Sequence, residues 1–286
     1  MRLTANNQVR FVQCDSWKAF VDRVRVEPQL VHMNGASSAP EFTLFRGHSD
    51  PTWELESALE RNLALWRPSD TNEEDDEQSS SADFYRERMR LILRKFKESV
   101  LALDYSLSTL SDDQLWALGR HHGLLTPLLD WTASPYVAAY FAFEPLFKWH
   151  EHRLGRIHSG SGNVRVWLLR APSTILLKDE FEIVTELPPN GRRQLAQRGA
   201  FTKLISPDDR SLKDYLIRKN IAHYLEAFDI PQSDYVVAAR DLRLMNITPF
   251  TLFPDLQGAA KHANIDDDEV RTLEELLEGI DIVTPP

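Results

Sequence analysis

The clearest pattern of apolar and polar positions lies in residues 82–103. Apolar residues recur there every three or four positions, which places them along one face of a helix, and charged residues fill the positions between them. Such a stripe is typical of an amphipathic helix that packs one face against a core. The pattern therefore predicts a long helix whose buried face carries Tyr85, Met89, Ile92, Phe96, Val100 and Leu103.

Short apolar runs bounded by turn-forming residues predict the strands of a sheet. One run ends in Phe45 and Arg46 and is followed by Gly47 and a Ser-Asp-Pro turn, so we expect this strand to end at the glycine. A second run ends at Trp131 and is short enough for a buried strand. The predicted strands cover residues 9–12, 41–46, 128–131, 164–169 and 200–205.

Capping residues mark the beginnings of several further helices. Ser111 followed by Gln114 has the spacing of a capping box, which predicts a helix from there to Arg120. Ser134 before Pro135 is typical of an N-cap followed by the first helical position. Helix-like patterns also cover residues 17–24, 53–65, 192–197, 212–228, 256–262 and 266–280.

The order of these elements indicates a mixed α+β protein. The length of 286 residues allows one large domain or two small ones, and neither an internal repeat nor a convincing linker divides the chain. We therefore expect a single domain over residues 1–286 whose C-terminal part is helical and ends in the helix at 266–280. Residues 67–81 are rich in proline, serine and acidic residues and are predicted to form a mobile loop.

Composition and charge narrow the class of protein. A net charge of −10 argues against broad, non-specific attraction to nucleic acid or to anionic membranes, although it leaves room for a local basic groove. The single cysteine, Cys14, excludes an internal disulfide framework and fits a reducing compartment. The longest apolar stretch, at residues 124–147, is interrupted by acidic residues and prolines, so it does not predict a membrane span. We expect a cytoplasmic protein with no membrane partner.

Two segments about eighty residues apart place polar groups where their neighbours look buried. Arg46 directly follows an apolar strand, and a desolvated guanidinium needs an anionic partner. Asp130 and Trp131 lie between apolar residues in the same way. Such local conflicts are typical of functional sites, but a buried ion pair between Arg46 and Asp130 explains them equally well.

Familiar catalytic and metal-binding motifs are not found in the sequence. It contains no dinucleotide fingerprint, phosphate-binding loop, HExxH motif or G-x-S-x-G elbow. The His-Glu-His at residues 150–152 is better explained as a polar surface turn than as a metal site. No activating partner for Cys14 is visible in the sequence. We therefore expect no metal site and no cysteine nucleophile.

Three blocks of sequence together resemble the FRG-domain family. Phe45, Arg46 and Gly47 form the first block. Residues 121–132 read His-His-Gly-Leu-Leu-Thr-Pro-Leu-Leu-Asp-Trp-Thr and continue through Ser134. The third block pairs the Arg-x-x-x-Gln-x-Gly-x-Phe of residues 193–201 with the Leu-Phe-Pro-Asp of residues 252–255. The resemblance covers residues 40–263, although Pro127 stands where the family usually has arginine.

The pattern of this family is similar to that of ADP-ribosyltransferases. The resemblance implies a split, mixed β-sheet flanked by helices, and NAD as co-substrate. It implies that Arg46 clamps the NAD pyrophosphate. The negative charge that offsets the positive reacting ribose would then come from Asp130 or from a glutamate elsewhere in the chain. It further implies that Thr132 and Ser134 line the nicotinamide ribose and that Trp131 or Tyr140 faces nicotinamide. Phe45, Gly47 and Thr126 complete the predicted binding segments.

One departure from the transferase pattern keeps other functions open. The family block nearest the expected catalytic glutamate offers Gln197, which can hold a ribose hydroxyl but supplies no negative charge. His122 either serves as a general acid or base or satisfies a helix-ending turn. Alternatives are a non-catalytic nucleotide- or partner-binding module and a phosphate-directed nuclease. The resemblance to bacterial toxins or antiphage effectors implies a protein or nucleic-acid acceptor, and an inhibitory antitoxin or chaperone as a partner.

Overall fold

One mixed seven-stranded β-sheet organises the protein in the computed structural model. The structure describes residues 7–26, 41–64, 81–149, 162–172, 180–186, 191–205 and 211–263. The strand order is β1-β7-β4-β2-β3-β6-β5. The strands are β1 (Arg10–Gln13), β2 (Glu41–His48), β3 (Leu128–Thr132), β4 (Asn163–Pro172), β5 (Phe181–Val184), β6 (Gly199–Leu204) and β7 (Leu225–Pro231). The predicted α+β class with a mixed sheet flanked by helices is confirmed.

The sheet is weakest at its centre, between β2 and β3. Strand β2 pairs antiparallel with β4 over eight residue pairs, and β3 pairs antiparallel with β6 over five. In contrast, β2 and β3 share a single residue pair, Phe45 with Thr132. On the outer edges β1 is parallel to β7, and β5 is antiparallel to β6. The sheet is therefore made of two well-paired halves that are joined at one point.

Helices cover both faces of this sheet. The capping box of Ser111 and Gln114 opens α4 as predicted, and Ser134 caps α5, where it accepts a hydrogen bond from the backbone N–H of Val137. The helices are α1 (Trp17–Val26), α2 (Ala58–Ala64), α3 (Ser81–Leu103), α4 (Asp112–His121), α5 (Pro135–Trp149), α6 (Arg192–Ala196), α7 (Leu212–Arg218), α8 (Tyr235–Leu244), α9 (Pro249–Leu252) and α10 (256–263). Three short 3-10 helices lie at Tyr105–Thr109, Ala222–Tyr224 and Gln232–Asp234.

The two faces of the sheet carry separate hydrophobic cores. On one face α1, α5 and α8 pack against alternate residues of the central strands, among them Phe45, Val166 and Phe228. On the other face the strand residues Leu44 and Trp167 pack with residues of α7. Because side chains alternate along a strand, Phe45 and Arg46 face opposite sides of the sheet. Arg46 therefore projects from β2 on the face opposite to α5.

Gly47 lies inside β2, so the prediction that this strand ends at the glycine is wrong. A Cβ atom at Gly47 would lie 1.9 Å from the carbonyl oxygen of Ala138 and 2.7 Å from the amide nitrogen of Ala142. Helix α5 therefore crosses β2 at backbone contact, and only a glycine permits that approach. Gly47 was also predicted to line a ligand site. Helix packing supplies a separate, structural reason for a glycine at this position.

Other predictions need correction near the turns. The helix predicted at 53–65 begins only at Ala58, after a capping box in which the backbone N–H of Ser57 donates to Glu60. The helix-like segment 212–228 contains α7 but ends in strand β7, because its last four residues, 225–228, pair with β1 and β4. The loop predicted at 67–81 lies outside the described residues except for Ser81, which begins α3. The predicted helix at 266–280 also lies outside them.

Candidate anion-binding cleft

A cleft of about 470 Å³ opens where β2 and β3 separate. Its volume falls in the usual range for small-molecule and cofactor sites. Strands β2 and β3 supply the floor, and α4 and α5 supply two walls. Arg193, Gln197 and Phe253 close the remaining side. The polar side chains that line it are Arg46, Arg120, His121, Asp130, Thr132, Arg193 and Gln197.

Arg46 bridges the gap between the two strands. Its Nη1 donates a hydrogen bond to the backbone oxygen of Asp130 at 2.8 Å and lies 3.7 Å from the Asp130 carboxylate. Its Nε donates to Nε2 of His48 at 2.9 Å. Burial lowers the pKa of Arg46 to about 10, and the negative charge of Asp130 opposes that shift. The guanidinium therefore stays positive at neutral pH.

His48 holds Arg46 as a neutral acceptor. The imidazole is buried between Trp53 and Trp167, whose rings meet it edge to face. Burial, and then the positive charge of Arg46, lower the pKa of His48 to about 3. A neutral imidazole has one free lone pair. Two donors compete for that lone pair: Nε of Arg46 lies 2.9 Å from Nε2, and Nε1 of Trp167 lies 3.2 Å from Nδ1. The shorter contact from the charged donor assigns the lone pair to Nε2.

Asp130 is shared by two arginines. Arg120 on α4 approaches the carboxylate with Nη2 on Oδ2 and with Nε 3.4 Å from Oδ1. Burial alone would raise the pKa of Asp130, but the charges of Arg120 and Arg46 and the hydrogen bonds from Arg120 hold it below its usual value. The carboxylate is thus ionised at neutral pH, and its charge is offset by two guanidinium groups.

Arg193 forms the opposite wall and is held by three contacts. Its Nε donates to Oδ2 of Asp255 at 2.6 Å, and its Nη2 donates to Oε1 of Gln257 at 2.8 Å. The guanidinium carbon lies 5.4 Å from the centre of the Phe253 ring. Lys261 lies 4.0 Å from the same ring centre. Phe253 is therefore in contact with two cations at the edge of the cleft.

Thr132 and Gln197 tie β3 to the turn that leads into β6. The hydroxyl of Thr132 donates to the backbone oxygen of Gln197 at 2.6 Å and accepts from the backbone N–H of Ser134 at 3.1 Å. The side-chain Nε2 of Gln197 donates to the backbone oxygen of Leu252 at 3.1 Å. The Oε1 atom of Gln197 accepts no hydrogen bond from the described residues, so it is available to a ligand hydroxyl.

The cleft brings together seven of the predicted site residues. Trp131 is among them, although its ring is mostly buried and its Nε1 donates to Thr202 at 2.9 Å. Asp130 and Gln197 also line the cleft, as predicted from the family blocks. The others are Phe45, Arg46, Gly47 and Thr132. Trp131, Thr132 and Asp130 come from one short strand, which explains why a single sequence block contained three of them.

Four predicted site residues lie elsewhere. Ser134 caps α5 and is 8% exposed, and Tyr140 lies in the core beside Phe141 at 2% exposure. Thr126 is fully buried, and its backbone oxygen accepts a hydrogen bond from Leu59. His122 is the exposed C-cap residue of α4 and does not line the cleft, whereas the neighbouring His121 does.

Six further residues line the cleft that were not predicted as site residues: Arg120, His121, Ala138, Phe141, Arg193 and Phe253. Arg120 and His121 end a helix, where basic residues are expected for reasons of helix polarity alone. Phe141 lies within an apolar helix, and nothing in its sequence surroundings indicates that it lines a cleft. Arg193 and Phe253 were noted only as members of family blocks. The charge of Asp130 between apolar residues was the one sequence signal for an additional basic partner, and the structure places Arg120 there.

The electrostatic balance of the cleft is positive. Arg46, Arg120 and Arg193 contribute three positive charges, whereas Asp130 is the one carboxylate that lines the cleft among the described residues. Burial and the charge of Arg193 lower the pKa of His121, which keeps that ring neutral at neutral pH. No group of three or more metal-ligating side chains occurs in the described part of the chain. The arrangement suits a bound anion.

Comparisons with known proteins found a match to one family model over part of the chain. Searches against curated proteins and against solved structures found no significant match. Within the described ranges, no helix is both long and apolar enough to cross a membrane. The match to the family model covers α2, α3, α4, the strands β2 and β3 and helix α5, whereas Arg193, Gln197 and Phe253 of the cleft lie beyond it. Residues 41–149 match the family model of the FRG domain.

Proposed function

We propose that the protein is an NAD-dependent ADP-ribosyltransferase-like enzyme whose site is the cleft between β2 and β3. The observation that carries the proposal is the position of Arg46 at the point where these strands part, with Thr132 on the facing strand. This is the arrangement that the resemblance to ADP-ribosyltransferases implies. The positive balance of the cleft supports a ligand that carries phosphate.

The proposed reaction is a group transfer from NAD to an acceptor. The bond between the ribose C1′ and the nicotinamide nitrogen breaks, and its electron pair leaves with nicotinamide. A nucleophile of the acceptor then bonds to C1′ and loses its proton. Arg46 would hold the pyrophosphate, and Oε1 of Gln197 would accept a hydrogen bond from a ribose hydroxyl. Asp130 would stabilise the positive charge that develops on the ribose.

The acceptor is a protein or a nucleic acid in this proposal, and the cellular role is that of a toxin or an antiphage effector. The aromatic side chains Phe141 and Phe253, which meet at 6.1 Å between ring centres, supply an apolar wall for a base or for nicotinamide. This wall lies beside Arg193, so an aromatic ring and a phosphate would be held next to each other. A dinucleotide combines these two groups.

A second candidate is a nucleotide-binding module without catalysis. It is favoured by the state of Asp130, whose carboxylate is held by two arginines, and by the amide of Gln197 where a catalytic glutamate is expected. A carboxylate in two ion pairs stabilises a positive ribose less effectively than a free one. Such a module would bind the same ligand and release no nicotinamide.

Nicotinamide release decides between the two candidates. The wild-type protein and an Arg46→Gln variant would be incubated with NAD, alone and together with nucleic acid or a cell lysate as acceptor. Arg192→Gln is the matched control, because Arg192 is exposed on α6 and does not line the cleft. Release by wild type and by the control, but not by Arg46→Gln, supports transfer. Binding of NAD without release in any mixture leaves the binding module.

A further inference from the structure

Three arginines of the cleft share one pattern of contacts. Arg46 uses Nε and Nη1, Arg120 uses Nε and Nη2, and Arg193 uses Nε and Nη2 for their bonds to the protein. The remaining Nη atom of each has no hydrogen-bond partner among the described residues. Each guanidinium is therefore fixed in place and retains an N–H group for a ligand. Arginines that are fixed before binding lose little entropy when an anion arrives.

The three arginines define two separate anion positions. Arg46 and Arg120 converge on the same oxygen, Oδ2 of Asp130, so a single phosphate can contact both. Arg193 is anchored on the other side by Asp255 and Gln257. It does not contact Asp130, although its charge acts on His121, the neighbour of Arg120. A ligand that satisfies all three guanidinium groups must carry anionic oxygens at both positions.

We infer that Arg120 and Arg193 join Arg46 in a two-point diphosphate site in which Asp130 occupies the first point when no ligand is bound. A pyrophosphate group places two anionic phosphorus centres on one bridging oxygen and can contact both points. Orthophosphate can contact only one. Asp130 competes with the ligand, because its carboxylate contacts the same two arginines that the first phosphate would contact. Diphosphate binding would thereby release the Asp130 carboxylate from its two ion pairs.

This site deepens the proposed function and rests on it for the identity of the whole ligand, but it requires binding alone and no transfer. It names Arg120 and Arg193 as ligand contacts beside Arg46. It also gives Asp130 two defined states: paired with Arg46 and Arg120 in this structure, and released from both once a diphosphate is bound. A carboxylate released from its ion pairs can act on the ribose.

The test is calorimetric titration of the full-length protein with inorganic pyrophosphate and with orthophosphate at constant ionic strength. We expect pyrophosphate to bind at least about tenfold more tightly than orthophosphate, since it gains a second charge-assisted contact. Arg193→Gln should reduce that preference towards unity, because it removes the second point alone. Arg120→Gln should weaken both ligands by about tenfold. The control, Arg192→Gln on the same helix as Arg193, should change neither affinity.

Asp130→Asn tests the competition separately. Loss of the carboxylate frees Arg46 and Arg120, so we expect pyrophosphate to bind more tightly than it does to wild type. Thermal unfolding would confirm that each variant is folded, and Arg193→Gln remains informative if the Asp130 variant is not. The inference is overturned if pyrophosphate binds no better than orthophosphate, or if Arg193→Gln keeps the full preference. Pyrophosphate binding without nicotinamide release would leave the diphosphate site intact and contradict only the transferase proposal.

Discussion

Arg46 donates a hydrogen bond to the backbone oxygen of Asp130 at 2.8 Å across the gap between β2 and β3. The two strands share one residue pair, so this side chain supplies a connection that the backbone ladder does not. The buried charge of Arg46 thus has a structural use, and the same side chain lines the cleft. A structural ion pair and a ligand contact are therefore two roles of one residue.

The two roles of Arg46 predict that lysine cannot replace it. Arg46→Lys keeps the charge but loses the fork that reaches His48 and Asp130 together. We expect the affinity for ADP-ribose to fall by about tenfold or more and the free energy of unfolding to fall by about 1–3 kcal/mol. Calorimetric titration and urea unfolding would measure the two effects. An unchanged affinity in the lysine variant would mean that the fork does not contact the ligand.

His48 predicts a pH dependence of stability. Its pKa is lowered from 6.5 to about 3 in the folded protein, so below pH 6.5 the unfolded chain binds a proton that the folded protein does not. Stability from this residue is therefore lost as the pH falls. Between pH 7 and pH 4.5 we expect a loss of about 2–3 kcal/mol from His48 alone.

The matched variant for this prediction is His48→Gln, which keeps an acceptor for Arg46 and does not titrate. Urea unfolding of both proteins at pH 7 and at pH 4.5 separates His48 from the carboxylates that titrate in the same range. We expect the variant to lose less stability than wild type over this interval by the stated amount. Equal losses would show that the folded protein protonates His48 as readily as the unfolded chain does.

The buried carboxyl of Glu60 predicts the opposite pH dependence, in which stability falls as the pH rises. Burial raises its pKa from 4.5 to about 7, and the hydrogen bond from the backbone of Ser57 opposes that shift only in part. The folded protein therefore keeps a proton that the unfolded chain releases, and stability falls as the pH rises from 4.5 through 7. Glu60→Gln keeps an acceptor for Ser57, so at pH 8 it should be more stable than wild type by about 2 kcal/mol. Thermal unfolding at pH 5 and pH 8 checks this, and a constant difference between the two proteins would contradict it.

The backbone contact at Gly47 predicts that one added methyl group strongly lowers the stability of the protein. The Cβ atom of an alanine at this position would overlap the backbone of Ala138 and Ala142, and backbone atoms of a packed helix cannot move aside cheaply. We expect Gly47→Ala to lower the free energy of unfolding by about 3 kcal/mol. Gly162→Ala is the control, because its Cβ would meet only the side chain of Gln232 at 3.3 Å. Similar stability of the two variants would refute the helix-packing explanation.

Local sequence patterns predicted the elements whose signals are local. The stripe of α3 and the capping box of α4 depend on residues within one or two turns, and both were predicted with nearly the observed bounds. Strand β7 was missed because its strand conformation depends on pairing with β1 and β4, which are far away in sequence. Those strand contacts outweighed the helix-like sequence pattern at the C-terminal end of residues 212–228.

In the cleft, too, the residues that were predicted are those whose own sequence surroundings carry a signal. Arg46 and Asp130 were predicted because each is a charge in an apolar setting, which is visible in the sequence. Arg120 and Arg193 are ordinary basic residues in sequence, and only the meeting of α4, β3 and α6 gives them a common purpose. Tyr140 was predicted to face the ligand, but the period of α5 turns its ring into the core. The direction of a side chain on a helix depends on what the helix packs against.

In the proposed function, the gap between β2 and β3 binds the ADP-ribose part of NAD. Calorimetric titration of ADP-ribose into wild type, Arg46→Gln and Arg192→Gln tests it without any need for turnover. We predict saturable binding of one ligand by wild type and by Arg192→Gln, and at least about tenfold weaker binding by Arg46→Gln. No binding to wild type, or equal binding by all three proteins, would contradict the claim.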